Sequence, residues 1–432
     1  MLPELKTQIP GPKSLQASEK LRRYECQNIT YMADDWPVFW QRAAERNVWD
    51  VDGNRFLDFT SAFGVAGMGH GSTADAMVAQ AGQLVHGMGD VHPTELKAQL
   101  CEQLSKISYE RWGLGIGKSI LSNSGFEAVE SALKTALVKT GKAGIVSFKN
   151  GYHGLGYGAL LSVGLARFKE PFSSQLAEVS VQLTFPRTAD DLTQLASELE
   201  KIDASQMGAL IVEPIQGRGG KVVPPAGFLA QLRAWCDANG VVLIYDEIYT
   251  GFYRTGKLFA CEWQGVFPDL ICVGKALSGG YPISACIGTA EVMDAWPVSP
   301  GEALHTSTFL GNPVGCAMAL EALRQLDDDG VGEMVLSASE YLVKQLEQLA
   351  HPSIKEVRGR GLMIGAELVQ ADGSPDGALA GKILSEMLAA GVLMLADGDD
   401  GNVLAFVPPF SVTHEEIDFV IGLLSTMLPS HD

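Results

Sequence analysis

Two side chains of opposite charge each follow a short apolar segment in the middle of the sequence. Asp246 comes directly after the apolar run 241–245, and Lys275 follows the run 270–273 after one glycine. Apolar runs of this length are typical of strands that are buried on both faces of a parallel sheet. Because ligands bind at the carboxyl ends of such strands, the carboxylate and the amine are predicted to face one crevice.

The chemistry open to this pair depends on how far the lysine is shielded from water. A partly desolvated lysine has a lowered pKa and can act as a nucleophile or a base. A structural ion pair or a solvated lysine is the alternative, and it is the usual situation of a lone lysine. The apolar approach to Lys275 and the glycines at 279 and 280 weigh against it. An aspartate beside a pyridinium nitrogen, close to such an amine, is what a pyridoxal phosphate site requires.

A turn of small residues at 122–127 could bind an anion. It lies between a strand-like run and a helical pattern, so N–H groups at the helix start are free to point into the turn. An ordinary helix cap is the alternative reading, since every βα unit contains such a turn. Two glycine-rich segments fail as nucleotide loops: Trp112 stands where a P-loop needs its first glycine, and residues 154–158 lack the dinucleotide spacing.

The elements that must position these residues alternate between strand and helix from about residue 95 to 320. The apolar runs of strand length are 119–121, 144–148, 209–212, 241–245 and 270–273. Two helical faces lie between them, formed by residues 128, 129, 132, 133, 136 and 137 before Gly141 and by residues 228, 229, 232, 235 and 236 before Gly240. This alternation predicts an α/β fold with a mostly parallel sheet covered by helices on both faces.

Both ends of the chain differ from this middle part. The first forty or so residues, with prolines at 3, 10 and 12, are predicted to form an extended arm that leads into a helix. Residues 47–59 read as two strands around an Asp-Gly turn, and the pattern after Leu326 is that of a smaller α+β unit. The predicted domains are 1–65, an arm and part of a small domain; 66–325, a large cofactor-binding domain; and 326–432, the C-terminal small domain.

Composition limits the partners and the compartment. The chain has 432 residues, 46% of them hydrophobic, and 32 basic against 51 acidic residues give a net charge of −19. This balance argues against nucleic acid or an anionic membrane as a partner. The sequence shows no signal-peptide pattern and no apolar run long enough to span a membrane. The seven cysteines are scattered and contain no CxxC pair. A cytoplasmic protein without disulfides, zinc or another metal is therefore expected.

Short motifs occur in a fixed order over nearly the whole chain. They are N-S-G-x-E-A at 123–128, Y-H-G at 152–154, E-P-I-Q-G at 213–217, D-E-I at 246–248 with R-T-G at 254–256, G-K-A-L-S-G-G at 274–280 and T-F-x-G-N-P at 308–313. In these motifs the sequence resembles the class III (omega) aminotransferases of the fold-type I pyridoxal-phosphate superfamily. The resemblance implies a large domain with a mostly parallel sheet and a smaller α+β domain from the chain ends. It also implies ping-pong transfer of an amino group from an amine or ω-amino acid to a 2-oxo acid.

The resemblance implies roles for residues around the cofactor ring. Lys275 would hold pyridoxal 5′-phosphate as a Schiff base and, once released, move the proton. Asp246 would keep the pyridine nitrogen protonated. Tyr152 would stack on the ring with Ile248 packed opposite, and Glu213 would lie near the ring.

Other implied roles concern the phosphate and the partner subunit. Ser124 and the N–H groups of Gly125 and Phe126 would bind the phosphate at a helix start. Thr308 would reach the phosphate of the partner subunit's cofactor, so the family implies a homodimer with shared active sites. Arg254 and Arg358 match family positions that are expected to be structural.

Departures from the family pattern bear mainly on the substrate. Leu155 stands where ornithine-type members carry a carboxylate-binding arginine, and Ala405 stands where many members have an arginine ahead of the Pro-Pro pair. Arg218 replaces the usual acidic partner of that arginine, Tyr249 replaces an amide near the ring hydroxyl, and Phe126 replaces a threonine. The hypothesis is that Arg218 recognises the acceptor carboxylate, while Leu155 and Ala405 leave room for a less acidic amine. A solvent-facing Arg218 on a mobile loop is the alternative.

Two other functions stay open on the sequence. A decarboxylating transaminase or an aminomutase of the same family would use the same cofactor residues, although Arg254-Thr255-Gly256 favours the transaminases. A protein that binds pyridoxal phosphate without turnover is disfavoured because Lys275 and Asp246 are both present.

Overall fold

The computed structural model describes residues 1–327 and 330–429. The chain divides into a larger unit, Thr73–Gly332, and a smaller unit formed by Met1–Ser72 and the segment from Glu333 onward. Residues 328, 329 and 430–432, all within the range predicted for the C-terminal domain, lie outside the described residues. None of the helices formed by the described residues combines the length and apolar character that crossing a membrane requires.

The helices occur in both units. They are α1 (Pro12–Tyr24), α2 (Ser61–Gly64), α3 (Ala74–Ala81), α4 (Glu95–Ser105), α5 (Gly125–Thr140), α6 (Tyr157–Leu160), α7 (Ala166–Lys169), α8 (Asp191–Glu200), α9 (Phe228–Asn239), α10 (Ala290–Met293), α11 (Pro313–Leu326), α12 (Gly330–Gln348), α13 (Gly377–Ala389) and α14 (His414–Met427). Short 3₁₀ or π turns lie at Lys106–Glu110, Glu170–Gln175, Ala260–Trp263 and Lys275–Leu277.

The strands form three sheets. They are β1 (Trp40–Ala44), β2 (Asn47–Asp50), β3 (Arg55–Asp58), β4 (Gly117–Ser122), β5 (Gly144–Phe148), β6 (Ser180–Leu183), β7 (Met207–Val212), β8 (Val242–Asp246), β9 (Leu270–Val273), β10 (Ser284–Thr289), β11 (Ile354–Gly359), β12 (Ile364–Leu368), β13 (Val392–Leu393), β14 (Leu395–Asp397) and β15 (Val403–Phe406).

The sheet of the larger unit confirms the predicted α/β fold. Its seven strands follow the order β4-β10-β9-β8-β7-β5-β6, and only β10 runs antiparallel to its neighbours. Every residue of β7, β8 and β9 is buried. Because successive side chains of a strand point to opposite faces, this burial means that both faces of the sheet are covered, as the all-apolar runs predicted.

Helix α5 packs on one face of this sheet and begins at the predicted small-residue turn. The Glu127 carboxylate accepts the amides of Asn123 and Ser124 at 2.9 and 2.8 Å, and Gly141 ends the helix with a left-handed φ of 69°. Its buried face consists of Ala128, Val129, Ala132 and Ala136. Leu137, predicted on the same face, is instead 47% exposed, because the small side chains bring the helix close to the sheet and leave the larger leucine at the border of the contact.

The smaller unit is an α+β structure made from the chain ends, as the fold class predicted. β2 and β3 form the expected antiparallel pair, and β13 from the C-terminal segment adds to it in parallel, with Val392 opposite Leu57. A second sheet has the order β11-β12-β15-β14 and is antiparallel throughout. The N-terminal arm differs from the prediction, since its residues from Pro12 onward already form α1, where a proline occupies the favourable first helical position.

Candidate active site

Asp246 and Lys275 lie at the same edge of the sheet. Asp246 is the last residue of β8, opposite Cys272 of the parallel strand β9. Lys275 follows β9 after Gly274 and opens a 3₁₀ turn with a left-handed φ of 44°. This backbone conformation is unfavourable for a lysine and persists only where the surroundings hold it, which is common at functional sites.

His153 makes the closest side-chain contact of Asp246. The His153 Nδ1 atom lies 2.8 Å from Asp246 Oδ2, and the amide of Ile248 donates to Oδ1 at 3.1 Å. Both side chains are buried. Burial alone would lower the pKa of His153, but the hydrogen bond and the charge of Asp246, helped by Glu213, raise it. The contact with His153 and the amide of Ile248 together hold the Asp246 carboxylate in one orientation.

Sequence reasoning missed His153 as a site residue, although it lies within the Y-H-G motif at 152–154. A histidine next to a candidate aromatic residue was the available signal. The sequence does not indicate the hydrogen-bond partner of this histidine, because Asp246 is far away along the chain.

Glu213 ties together two loops of the site. Its Oε2 atom accepts the amide of Tyr152 and its Oε1 atom accepts the amide of Gly217, both at 3.0 Å. Glu213 is itself buried just after β7, and this burial raises its pKa. One carboxylate thus fixes the backbone ahead of His153 and the backbone ahead of Arg218.

Arg218 lies against aromatic rings. Its guanidinium is 4.8 Å from the ring centre of Tyr152 and 5.3 Å from that of Phe168, and these two rings contact each other edge to face at 5.6 Å. The side chain is partly buried. Stacking on aromatic faces leaves the edge of a guanidinium available for a carboxylate, so this placement favours a binding role over a solvent-facing arginine.

The amine of Lys275 lies over the ring of Tyr249, 4.6 Å from its centre. Burial lowers the pKa of this amine; the carboxylates of Asp246 and Glu213 act against that shift, and the cations of Lys221 and Arg218 add to it. A lysine in this setting is a stronger candidate for a nucleophile or a base than an exposed one.

The N-terminus of α5 presents two amides beside this crevice. Within the described chain, the amides of Gly125 and Phe126 donate no hydrogen bond, and the Ser284 hydroxyl fixes the turn by donating to the Ser124 carbonyl at 2.6 Å. A Cβ atom on Gly125 would come within 2.9 Å of Ile248 Cδ1, so the glycine lets the turn approach the segment that follows Asp246. Phe126 is 37% exposed and keeps its N–H at the turn.

These groups fit pyridoxal phosphate. A lysine amine, a carboxylate bonded to a histidine, and free amides at a helix start match the aldehyde, the pyridine nitrogen and the phosphate of that cofactor. The helix start approaches Ile248 closely, and Gly125 has no side chain that would collide with it.

The other predicted residues belong to different elements of the chain. Thr308 is on an exposed segment, and Leu155 is 47% exposed after the Y-H-G motif. Ala405 is buried in β15 of the smaller unit, opposite Gly365. Arg254 is buried, and Arg358 pairs with Glu356 and Glu367, in keeping with the structural roles implied for both arginines.

The fold and the site together define the class of fold-type I pyridoxal-phosphate enzymes. The family model for class III aminotransferases matches residues 30–428, and the chain belongs to that family. It is therefore an aminotransferase that depends on pyridoxal phosphate.

Several relatives span most of the chain. A 4-aminobutyrate aminotransferase of Mycobacterium leprae (strain TN) is 36% identical, with 98% of each chain covered. An acetylornithine aminotransferase of Methanosarcina mazei is 35% identical, covering 87% of this chain and 88% of the relative. Among solved structures, an amine transaminase from an uncultivated Pseudomonas species, in a form with pyridoxal phosphate bound, has a TM-score of 0.84 at 29% identity and covers 94% of this chain and 98% of that one.

Proposed function

We propose that the crevice at the ends of β8 and β9 is where this aminotransferase carries out the transfer, with Lys275 as the residue that holds the cofactor. The observation that carries the proposal is the common edge shared by Lys275 and Asp246, with His153 bonded to Asp246 at 2.8 Å. When bound, pyridoxal phosphate supplies an electron sink for the electrons released at the amine-bearing carbon of the substrate.

The side chains around the crevice then have distinct tasks. Asp246, bonded to His153 at 2.8 Å, would hold a proton on the pyridine nitrogen. Lys275 would hold the cofactor through its amine and, when not bonded to it, would take the proton from the amine-bearing carbon of the substrate; burial lowers the pKa of this amine and so favours its neutral form. Tyr152 and Ile248 are assigned to the two faces of the ring, and Glu213 orients the loop that carries Tyr152.

The phosphate is assigned to the start of α5. Ser124 and the amides of Gly125 and Phe126 bind it with the help of the helix dipole. The net charge of −19 does not oppose this, because such amides act at short range inside the pocket while the acidic side chains are mostly on the surface.

Arg218 is proposed to bind the carboxylate of the 2-oxo acid, with Leu155 and Tyr249 shaping the room for the amine. For Arg218→Ala, the KM for the oxo acid is expected to rise about 10- to 100-fold, the loss typical of a charge-assisted hydrogen-bonded pair. The half-reaction with a carboxylate-free amine is expected to keep its rate. Steady-state kinetics with varied oxo acid and single-turnover kinetics with the amine measure the two effects.

A matched variant tests the geometry behind that expectation. Arg218→Lys keeps the charge but loses the planar group that stacks on Tyr152, so it should fall between wild type and Arg218→Ala. Unchanged KM values for both amine and oxo acid in Arg218→Ala would rule out this role.

The chain is proposed to form a homodimer through an apolar patch on the larger unit. The patch consists of exposed side chains on two neighbouring segments, Val85, Met88, Val91, Leu304 and Phe309. The His86 and Phe309 rings are 5.2 Å apart, and the Asn312 amide donates to the Val85 carbonyl at 2.9 Å, so the segments lie together. Contiguous apolar surface of this kind marks a protein interface. Thr308 is part of the same segment, which supports its assignment to the phosphate in the partner subunit.

Val85→Glu is expected to convert the dimer into monomers, because a buried, unpaired carboxylate in the interface is costly. Size-exclusion chromatography with light scattering measures the mass of the particle. Val138→Glu, at an exposed valine on α5, is the matched control and should stay dimeric. A Val85→Glu protein that remains dimeric would show that the patch is not the interface.

A reducing cytoplasmic compartment is proposed as well. All seven cysteines are thiols, and five of them are buried. Alkylation of the denatured protein purified from its own cell tests this, with seven modified cysteines expected and a disulfide-linked pair contradicting it.

The donor is identified by a panel of amines and ω-amino acids scored by the absorbance change of the bound cofactor. A donor that converts the cofactor and yields a carbonyl product supports transamination. Carbon dioxide release would indicate a decarboxylating enzyme, and nitrogen retained on the product would indicate an aminomutase. A cofactor spectrum that no amine changes would indicate a protein that binds without turnover.

A further inference from the structure

A second lysine lies beside the site and has no part in the functions assigned above. Lys221 is fully buried on the glycine-rich loop after Glu213, where the amides of Gln216 and Val222 each donate to the other's carbonyl. Its φ of 58° is left-handed, as is that of Lys275. A buried lysine held in a strained backbone conformation is a feature that a fold retains only where its neighbours fix it.

Tyr249 contacts both lysines. The Lys221 amine donates to the Tyr249 hydroxyl at 3.2 Å and is 4.4 Å from the ring centre. The Lys275 amine is 4.6 Å from the same ring centre. Tyr249 is also the residue that replaces the family's amide two positions after Glu247. The lysine and the tyrosine thus form one unit that contacts the amine of Lys275.

We propose that Tyr249 and Lys221 form a dock for the amine of Lys275 while that amine is not bonded to the cofactor, and that the dock keeps it in the neutral, basic form. The proposal rests on the proposed role of Lys275. In it, the tyrosine ring gives the released amine a place to lie, and Lys221 is a positioning residue that holds the ring by its hydroxyl.

The charges around Lys275 determine its protonation. Asp246 and Glu213 favour the ammonium form, whereas Lys221 and Arg218 disfavour it. The face of Tyr249 by itself attracts a cation, but a full positive charge at its hydroxyl opposes that attraction, because the interaction between two charges falls off more slowly than that between a charge and a quadrupole. Removing the charge of Lys221 should therefore raise the pKa of the Lys275 amine and leave less of it neutral at neutral pH. A cationic neighbour is a known way to keep a catalytic lysine unprotonated.

The test measures the amine directly in the full chain stripped of its cofactor. Trace acetylation over a pH series is read for Lys275 by peptide mass spectrometry and normalised to Lys169, a partly buried lysine whose amine donates to the Leu161 carbonyl and the Ser180 hydroxyl. Only neutral amines react, so Lys221→Met is expected to lower labelling of Lys275 at neutral pH by at least about threefold and to move the labelling curve to higher pH. Tyr249→Phe, which keeps the ring and removes the contact atom of Lys221, should change labelling in the same direction.

Two controls separate charge from structure. Lys221→Arg keeps the charge and should label Lys275 as wild type does. Lys257→Met removes another lysine that lies over an aromatic ring, with its amine 4.8 Å from the ring centre of Trp263. This variant should leave the labelling of Lys275 unchanged. Unchanged labelling in Lys221→Met, or an equal fall in Lys221→Arg, would overturn the dock.

The labelling result can be distinguished from a failure of the proposed function. Turnover by the wild type together with unchanged labelling in Lys221→Met rejects the dock alone. The expected labelling shift in a chain in which Lys275 never reacts with the cofactor rejects the role of Lys275 alone, and with it the use of the dock.

Discussion

Replacing Lys275 with alanine is expected to lower the rate of transamination by at least about 10⁴-fold, because in the proposed function one side chain both holds the cofactor and moves the proton. The structure supports this expectation through the position of the amine after β9 and through its pKa, which burial lowers. Single-turnover kinetics with a reactive amine donor measure the effect.

Lys169→Ala is the matched control for this variant. Burial lowers the pKa of Lys169 as well, but its amine donates to the Leu161 carbonyl and the Ser180 hydroxyl and is not among the charges that act on Lys275. Its turnover should stay within about twofold of wild type, since it removes no group placed at the reacting atoms. Added methylamine should restore part of the rate of Lys275→Ala by replacing the lost base. A Lys275→Ala protein that turns over at the wild-type rate would mean that another residue carries the proton.

Replacing Asp246 with asparagine is expected to lower the rate by about 10³-fold, the size of effect seen when one preorganised electrostatic contact is lost. Asparagine keeps the shape and can still accept a hydrogen bond from the amide of Ile248, but it removes the charge that is proposed to hold a proton on the pyridine nitrogen. Lys275 should still bind the cofactor, which borohydride reduction and mass spectrometry would show.

Asp269→Asn provides the comparison for Asp246→Asn. Asp269 lies at the other end of β9, where its carboxylate accepts hydrogen bonds from the guanidinium of Arg233 and from the amide of Leu243. Losing its charge should lower thermal stability and leave the spectrum of the bound cofactor unchanged. If Asp246→Asn retained the wild-type rate and spectrum, the pairing of this carboxylate with the pyridine nitrogen would be wrong.

Much of the fold follows from the sequence because the central strands β5, β7, β8 and β9 are buried throughout. A strand that is apolar over its whole length, such as 242–245, has one plausible environment, and the polar residue that ends it marks the edge where ligands bind. The order of the strands does not follow in the same way. The antiparallel strand β10 between β4 and β9 is a long-range pairing, and nothing local in residues 284–289 distinguishes it from its parallel neighbours.

The site was predictable to a similar degree. Lys275, Asp246 and the turn at Ser124 are marked by their positions next to apolar runs, and the structure brings them to one edge. The contacts of His153 with Asp246 and of Lys221 with Tyr249 join distant parts of the chain, so no spacing rule reports them. The burial of Lys221 could not be predicted either, since a lysine in a glycine-rich loop is more often exposed.

The two amide hydrogen bonds of Glu213 bear on how this enzyme could change its substrate. The loops that carry Tyr152 and Arg218 are held through their backbones, by a carboxylate that does not depend on the side chains they present. Mutations at positions such as 155 and 218 can therefore accumulate without loosening these two backbone contacts. Selection must therefore keep Glu213, whereas it can vary the side chains on the two loops that Glu213 holds. Libraries built at those two positions over an unchanged Glu213 should yield many folded variants.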